Sequence, residues 1–288
     1  MPFQTTLRRA VSLAGVGLHT GRRTRVRLGP AAPDTGYVFV HPAHDSVIPA
    51  GHDAVVHTTL ATTLGNQHWR VATVEHLLAA LRGMGLDNVE IEVDGDELPA
   101  LDGSARPWVD LVQQSGVVAQ QAPARRLVIL RPVEVVQGDR WARLCPARRL
   151  EVRARIDFDH KDVGRQELEL GLDNGQFVQQ LSWARTFGFL ADVEHMRAMG
   201  LGMGGGLHNA VVFDDDGPLN PEGLRAADEL VRHKILDMIG DLALLGHPVI
   251  GRLEAVRPGH ALTVELIRTL VATPDAWTLV EADDVPAR

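Results

Sequence analysis

The stretch from about Ala227 to Leu245 constrains the fold of this chain most strongly. Its apolar positions recur at helical spacing, which predicts one long helix. At about 100° per residue, His233, Asp237 and Asp241 fall at roughly 0°, 40° and 80°, a single polar stripe. Ile235, Met238, Ile239 and Leu242 fall on the opposite side, near ~140° to 240°, and face a core. Taken alone, the stripe fits either a solvated helix face or a metal site.

The composition narrows the chemistry open to that stripe. Hydrophobic residues at 45% and charged residues at 23% are globular values and exclude disorder, collagen and coiled coil. The 13 histidines stand against one cysteine, Cys145, so neither a disulfide framework nor a thiolate zinc site can be built. Any metal must be held by imidazoles and carboxylates. Only Lys161 and Lys234 are lysines, and the net charge of −8 gives no global basic field for nucleic acid or anionic lipid. No run of about 18 apolar residues predicts a membrane-spanning helix. The apolar stretch after Arg8-Arg9 is short and glycine-punctuated, so a reduced, cytoplasmic location is expected rather than export. With no heptad seam, a monomer is expected.

Along the chain, Arg25 to Leu28 alternates as a strand, Val74 to Met84 reads as a helix capped by Thr73, and Asn88 to Val93 alternates again. A second helix follows Asp102-Gly103-Ser104 and ends at Gly116. The polar, proline-marked Gln120 to Ala124 reads as a linker. Strands at Leu127 to Leu130 and Trp141 to Leu144 follow it, then helices at Phe177 to Arg185 and Ala191 to Met199. A strand at Ala210 to Phe213 precedes the long helix, with a strand at Val249 to Val256 and a helix from Gly259 beyond it. Arg27-Leu28-Gly29-Pro30-Ala31 recurs faintly as Arg143-Leu144-Cys145-Pro146-Ala147. The expected fold is α+β, two related domains over residues 1–121 and 122–288, each a β-sheet layer packed on helices, a two-domain sandwich with small inserts.

Two patterns are decoys. Gly200-Leu201-Gly202-Met203-Gly204-Gly205 matches G-x-G-x-x-G, but a helix precedes it and a strand follows, the reverse of a dinucleotide site. His41, His44, His52 and His57 lie among Pro42, Pro49 and Gly51 with no shared face, and read as loop residues.

Glu75-His76 opens an apolar helix, where the helix end favours a carboxylate anion. Alone it reads as a polar first turn. Combined with the stripe, His76, His233 and Asp237 supply the two imidazoles and one carboxylate of a catalytic zinc site with an open fourth position. Glu75, beside a ligand but not one itself, is then placed to take a proton from water.

These residues carry a resemblance. Gly15 to Gly21, Thr73-Val74-Glu75-His76-Leu77-Leu78, Leu101-Asp102-Gly103-Ser104-Ala105, Arg185-Thr186-Phe187-Gly188-Phe189, His233-Lys234-Ile235-Leu236-Asp237 and Gly259-His260-Ala261-Leu262 occur in order. Over nearly its whole length the chain resembles the UDP-3-O-acyl-N-acetylglucosamine deacetylases of bacterial lipid A synthesis. The resemblance implies a fold of two α+β domains and zinc-dependent hydrolysis of an N-acetyl group, with one Zn2+ per chain and an acylated UDP-sugar as substrate. It implies zinc ligands at His76, His233 and Asp237, a general base at Glu75, and a protonated His260 paired with Asp241. Thr186 would donate to the oxyanion and Lys234 would line the pocket. It further implies an acyl-chain passage built from about Phe187 to Val212. His19, Phe187, Phe189, Asp159 and Arg257 are the implied substrate contacts, the last two on the nucleotide side. Thr263-Val264 departs from the asparagines usual after the His260 motif. The competing readings are the same chemistry on another N-acyl sugar and a non-catalytic nucleotide-sugar binding protein.

Overall fold

The computed structural model describes residues 2–172 and 175–284. Alternating apolar residues build two sheets of one design. In the first, Val11–Val16, Arg23–Pro30, Val89–Val93, Tyr37–Val40 and Val47–Pro49 lie side by side, and only Val89–Val93 with Tyr37–Val40 is a parallel pair. In the second, Val133–Gln137, Arg140–Cys145, Val249–Val256, Leu150–Asp157 and Arg165–Gly171 repeat the same order of pairings. Arg125–Ile129 and Trp277–Glu281 extend this second sheet. Leu28 pairs with Val11 and Ile91, and Leu144 pairs with Val133 and Leu253, so the faint repeat marks equivalent strands.

The helices are α1 (Glu75–Gly83), α2 (Arg106–Ser115), α3 (Gln176–Gln180), α4 (Leu190–Ala198), α5 (Glu229–Leu242) and α6 (His260–Val271). α1 packs on α2 and α5, and α5 on α6; α2 touches the first sheet, while α5 and α6 cover the second. Helices therefore fill the space between two sheets, and the fold is mixed α+β as expected. Leu77, Leu78, Leu81, Ile235 and Leu236 are fully buried in this layer. Each contributes about 1.5–3 kcal/mol by leaving water. No described helix is long and apolar enough to cross a membrane.

α5 is buried on nearly every side, including His233, Asp237 and Asp241. The stripe is thus no solvated face: it points at α1 and α6. Gly240 sets how closely α1 approaches, because a Cβ there would lie 2.1 Å from the Glu75 carbonyl oxygen. A small insert precedes each central helix. The first is the sheet Val55–His57, Thr63–Gly65 and Arg70–Val71, before α1; the second is Phe187–Phe189, Val211–Asp214 and Gly217–Pro218, before α5.

Three expectations fail. The supposed linker is part of strand Val117–Pro123, paired antiparallel with Phe3–Leu7; its polar Gln120 bonds Asn88 and the Ala31 carbonyl. The helix expected over Phe177 to Arg185 stops at Gln180, because Ala184 and Arg185 must turn toward α5 to bond His233 and Glu229. Thr73 caps nothing. Its φ is +60°, in the left-handed region, and its hydroxyl donates to Glu97 instead, leaving α1 without a side-chain cap.

Gly240→Ala is expected to force α1 and α5 apart. An overpacking loss of about 1–3 kcal/mol in denaturant unfolding, with weakened divalent-metal binding, is the predicted result. Unchanged unfolding would show that the helix contact tolerates a methyl group.

Candidate metal centre and catalytic cluster

The first turn of α1 and the middle of α5 bring three ligand-type atoms together. His76 Nε2 lies 3.4 Å and His233 Nε2 lies 3.3 Å from Asp237 Oδ1. The three ligand atoms all fall within 4.8 Å of one another, and all three residues are buried. A tetrahedral site with bonds of about 2.0–2.2 Å has ligand edges of roughly 3.3–3.6 Å, which the two short separations match. His233 Nδ1 donates to the Ala184 carbonyl at 3.0 Å, leaving the Nε2 lone pair facing Asp237. Burial, opposed by Asp237 and aided by His76 and Lys234, brings the His233 pKa down to about 3, so the ring is neutral. Burial would raise Asp237, but positive charge from its neighbours, the Lys234 ammonium included, holds it well below its ordinary value. Lys234 Nζ donates to Asp237 Oδ2 at 2.9 Å, while Oδ1 has no hydrogen-bond partner. Lone pairs converging on an orphaned, buried carboxylate oxygen call for a cation between them.

Beside this cluster, His260 opens α6. Its Nδ1 lies 2.9 Å from Asp241 Oδ2, and its Nε2 lies 3.7 Å from Glu75 Oε1. Burial alone would lower its pKa, yet Asp241, Glu75 and Asp237 push it up to about 10. The folded protein therefore keeps a proton that the unfolded chain releases between about pH 6.5 and 10. This pair stabilises the fold fully below 6.5, and the contribution drains away as pH rises toward 10. Glu75 moves upward, mainly through burial, against the pull of His260 and His76. A proton acceptor and a proton donor thus face each other next to the metal cluster.

Sequence reasoning missed the residues that hold this machinery. Thr62, from the first insert, donates its backbone N–H to Glu75 Oε2 at 3.1 Å and its hydroxyl to Asp241 Oδ1 at 2.7 Å. Glu97, almost wholly buried, accepts from the His19 N–H, the Thr20 N–H, the Thr20 hydroxyl and the Thr73 hydroxyl, all at 2.6–3.1 Å. It ties the turn bearing His19 to the entry of α1. Arg185 grips Glu229 at the start of α5 through Nε at 2.9 Å and Nη2 at 3.1 Å, which fixes the Ala184 carbonyl against His233. The one sequence signal for this grip was the Arg185-Thr186 motif; Thr62 and Glu97 carried none.

Other expected site residues divide in two. Lys234 Nζ stands 5.5 Å over the Phe187 ring, whose centroid lies 6.4 Å from that of His233, so both border the metal cluster. Phe189 lies one step farther out, against Phe158, His160 and Phe213. Thr186 is pinned through its backbone to Gly103 and Val211. His19 is buried with Nε2 unpartnered, and its pKa is lowered chiefly by burial, against the pull of Glu97. Arg257 is engaged with Asp139 and Asp157, and Asp159 is exposed on a neighbouring bend. The glycine run is a loop, as expected: Met203 N–H and Gly204 N–H donate to the carbonyls of His19 and Leu18. Nearby, Leu190, Met199, Met203 and Leu207 are 40–56% exposed, so the apolar insert is not core. His41, His44, His52 and His57 stay in turns and a short strand away from the metal group.

Known proteins are similar to this chain over nearly its whole length. A family model described as UDP-3-O-acyl N-acetylglycosamine deacetylase matches residues 4–272. A UDP-3-O-acyl-N-acetylglucosamine deacetylase of Myxococcus xanthus is 50% identical over 97% of this chain and 90% of its own length. Proteins of the same name from Phenylobacterium zucineum and an Anaeromyxobacter species are 50% and 49% identical, over 96% and 99% of this chain and 95% of each relative.

Two measurements probe the cluster. Metal-stripped protein should take up about one Co2+ per chain with a tetrahedral visible spectrum, and His233→Ala should abolish it. Uptake unaffected by that change would remove these ligands. In an NMR titration of metal-free protein, the His260 ring should keep its proton well past pH 6.5, toward about 10. Asp241→Asn should bring its midpoint down, since burial then acts with less opposition.

Proposed function

The chain belongs to the UDP-3-O-acyl-N-acetylglycosamine deacetylase family, and on that premise we propose that it hydrolyses the N-acetyl group of UDP-3-O-(3-hydroxyacyl)-N-acetylglucosamine. The products would be acetate and the free amine, in the committed step of lipid A synthesis. The observation that carries this reading is the pairing of Glu75 and His260 across 3.7 Å, beside His76, His233 and Asp237. Amide hydrolysis needs a base for water and an acid for the leaving nitrogen, and the two side chains face one space.

His76, His233 and Asp237 would hold one zinc ion per chain, which supplies Lewis acidity toward the carbonyl oxygen and a lowered pKa for water. Glu75 takes a proton from the attacking water through its carboxylate, and water's oxygen bonds to the acetyl carbon. The developing oxyanion is met by the His260 cation and the Thr186 hydroxyl, with Lys234 adding positive charge. The carbon–nitrogen bond then breaks as His260 passes its proton to the amine. Asp241 keeps His260 charged until that step. A neutral His260 would leave the poor amine leaving group unprotonated.

We propose a substrate placement on the same geometry. The exposed apolar residues Leu190, Met199, Met203 and Leu207 are suited to cover an acyl chain. His19, whose Nε2 has no partner, and the contacting Phe187 and Phe189 rings would line the approach from that side. Arg257, with Asp159 nearby in sequence order after Asp157, is the proposed nucleotide-side contact; its guanidinium would exchange Asp139 for phosphate. The repeated sheet order supports two related domains, although a division at residues 121 and 122 would fall within strand Val117–Pro123. A cytoplasmic site of action fits a substrate activated by UDP.

Zinc-restored protein should release acetate from the acylated substrate, and metal-stripped protein should not. Glu75→Ala should retain zinc while turnover drops by about 10²–10⁴. Full turnover in that variant would remove Glu75 from the mechanism. Turnover indifferent to the 3-O-acyl chain would redirect the activity to another N-acyl sugar.

A further inference from the structure

The base and the acid are held by a closed ring of four residues, and Thr62 is its fourth member. Asp241 turns one oxygen, Oδ2, to His260 Nδ1 at 2.9 Å and the other, Oδ1, to the Thr62 hydroxyl at 2.7 Å. Glu75 divides its oxygens the same way: Oε1 faces His260 Nε2 at 3.7 Å, and Oε2 accepts the Thr62 N–H at 3.1 Å. Each carboxylate therefore meets His260 with one oxygen and Thr62 with the other. The Thr62 carbonyl also accepts the Val74 N–H at 3.3 Å, at the N-cap of α1. One fully buried residue thus contacts the helix carrying the base, the base itself and the partner of the acid.

We propose that Thr62 is a positioning residue that sets the orientation of Glu75 and Asp241 toward His260. The physical need is specific. A carboxylate joined to one partner can swing about its last torsion, since that sp³–sp² rotor is broad. A second donor on the other oxygen removes that freedom. Glu75 and Asp241 are also like charges in a buried space, where donors to each lower their mutual cost. Thr62 supplies two such donors without adding a charge that would compete with His260. Water could not replace the hydroxyl without room, and Thr62 is enclosed.

The inference rests on the reading of Glu75 as base and His260 as acid. Its test separates the two. Thr62→Val keeps the shape and the backbone N–H but removes the hydroxyl; Thr62→Ser restores the donor. In zinc-loaded enzyme, Thr62→Val should lower kcat by about tenfold to a hundredfold with KM and zinc content unchanged, and Thr62→Ser should recover most of the loss. In an Asp241→Asn background, Thr62→Val should cost little more, because the hydroxyl acts through Asp241. A separate readout needs no substrate: the downfield NMR proton of the His260–Asp241 hydrogen bond should shift or broaden in Thr62→Val and return in Thr62→Ser. If Thr62→Val folds poorly, the serine variant and that proton carry the test. An unmoved proton, an unchanged kcat, a serine variant as impaired as valine, or full additivity with Asp241→Asn would each overturn the proposal. A wild-type protein that shows the proton and its dependence on Thr62 but releases no acetate would instead overturn the assigned reaction.

Discussion

Two helices from different halves of a chain can share one metal cluster only when their backbones nearly touch. Here α5 presents Gly240 to the Glu75 carbonyl, where any side chain would collide. That contact brings the first turn of α1 alongside the middle of α5. It places His76 across from Asp237 and Glu75 within reach of the residues flanking Asp241. The surrounding leucines and isoleucines make the approach rigid, because a close-packed layer does not yield by fractions of an ångström without loss of contacts. The chemistry is thus positioned by packing before any polar interaction forms.

Packing also creates the electrostatic problem that the site solves. Glu75, Asp237 and Asp241 are three buried carboxylates within one small volume. Isolated, each would be driven to take up a proton. Lys234 and the His260 cation offset part of that charge, and a metal cation would meet the Asp237 oxygen that has no partner. The remaining lone pairs are directed to neutral donors such as Thr62. Glu97 follows the same logic away from the metal: a buried carboxylate held by hydroxyls and backbone N–H groups rather than by a counter-ion. Hydrogen bonds of this kind stabilise a carboxylate anion without an added cation.

How much of this was legible in the sequence follows from how local each signal is. The His233, Asp237 and Asp241 stripe was readable because helical periodicity places residues four apart on one face. Its destination was not, since nothing within the helix says whether that face meets water or α1. Glu75-His76 was readable as an adjacent pair, and the six ordered motifs tied it to the stripe. Thr62 was not: its hydroxyl bonds a residue 179 positions away, and a threonine between two short strands has no distinguishing pattern. Thr73 misled for a related reason. Its position before a helix predicts a cap, but a distant carboxylate, Glu97, took its hydroxyl and the backbone went to positive φ. The 117–123 strand was hidden because its polar residues bond side chains from other strands, and polarity alone reads as a linker.

The repeated sheet order sharpens what each half contributes. Setting aside the leading strands Phe3–Leu7 and Arg125–Ile129 and the short α3, both halves run four strands, a small insert, a helix, a strand and a second helix, so α1 corresponds to α5 and α2 to α6. The chemistry is not repeated with the layout. α1 offers Glu75 and the proposed ligand His76 from a first turn, whereas α5 offers the proposed ligands His233 and Asp237 from its buried middle; α6 opens with His260, whereas α2 opens with Arg106. Placing the His260 cation, the proposed acid, at a helix N-terminus is electrostatically awkward, because the positive end of the helix disfavours an imidazolium there. Burial disfavours it too. Nearby carboxylates, Asp241 foremost with Glu75 and Asp237, reverse both effects. Asp241 does so from α5, with its second oxygen anchored by the first insert and its neighbour His233 anchored by the segment leading into the second. The first insert and the segment leading into the second, in equivalent places in the repeat, thereby act on the same helix from opposite halves of the molecule.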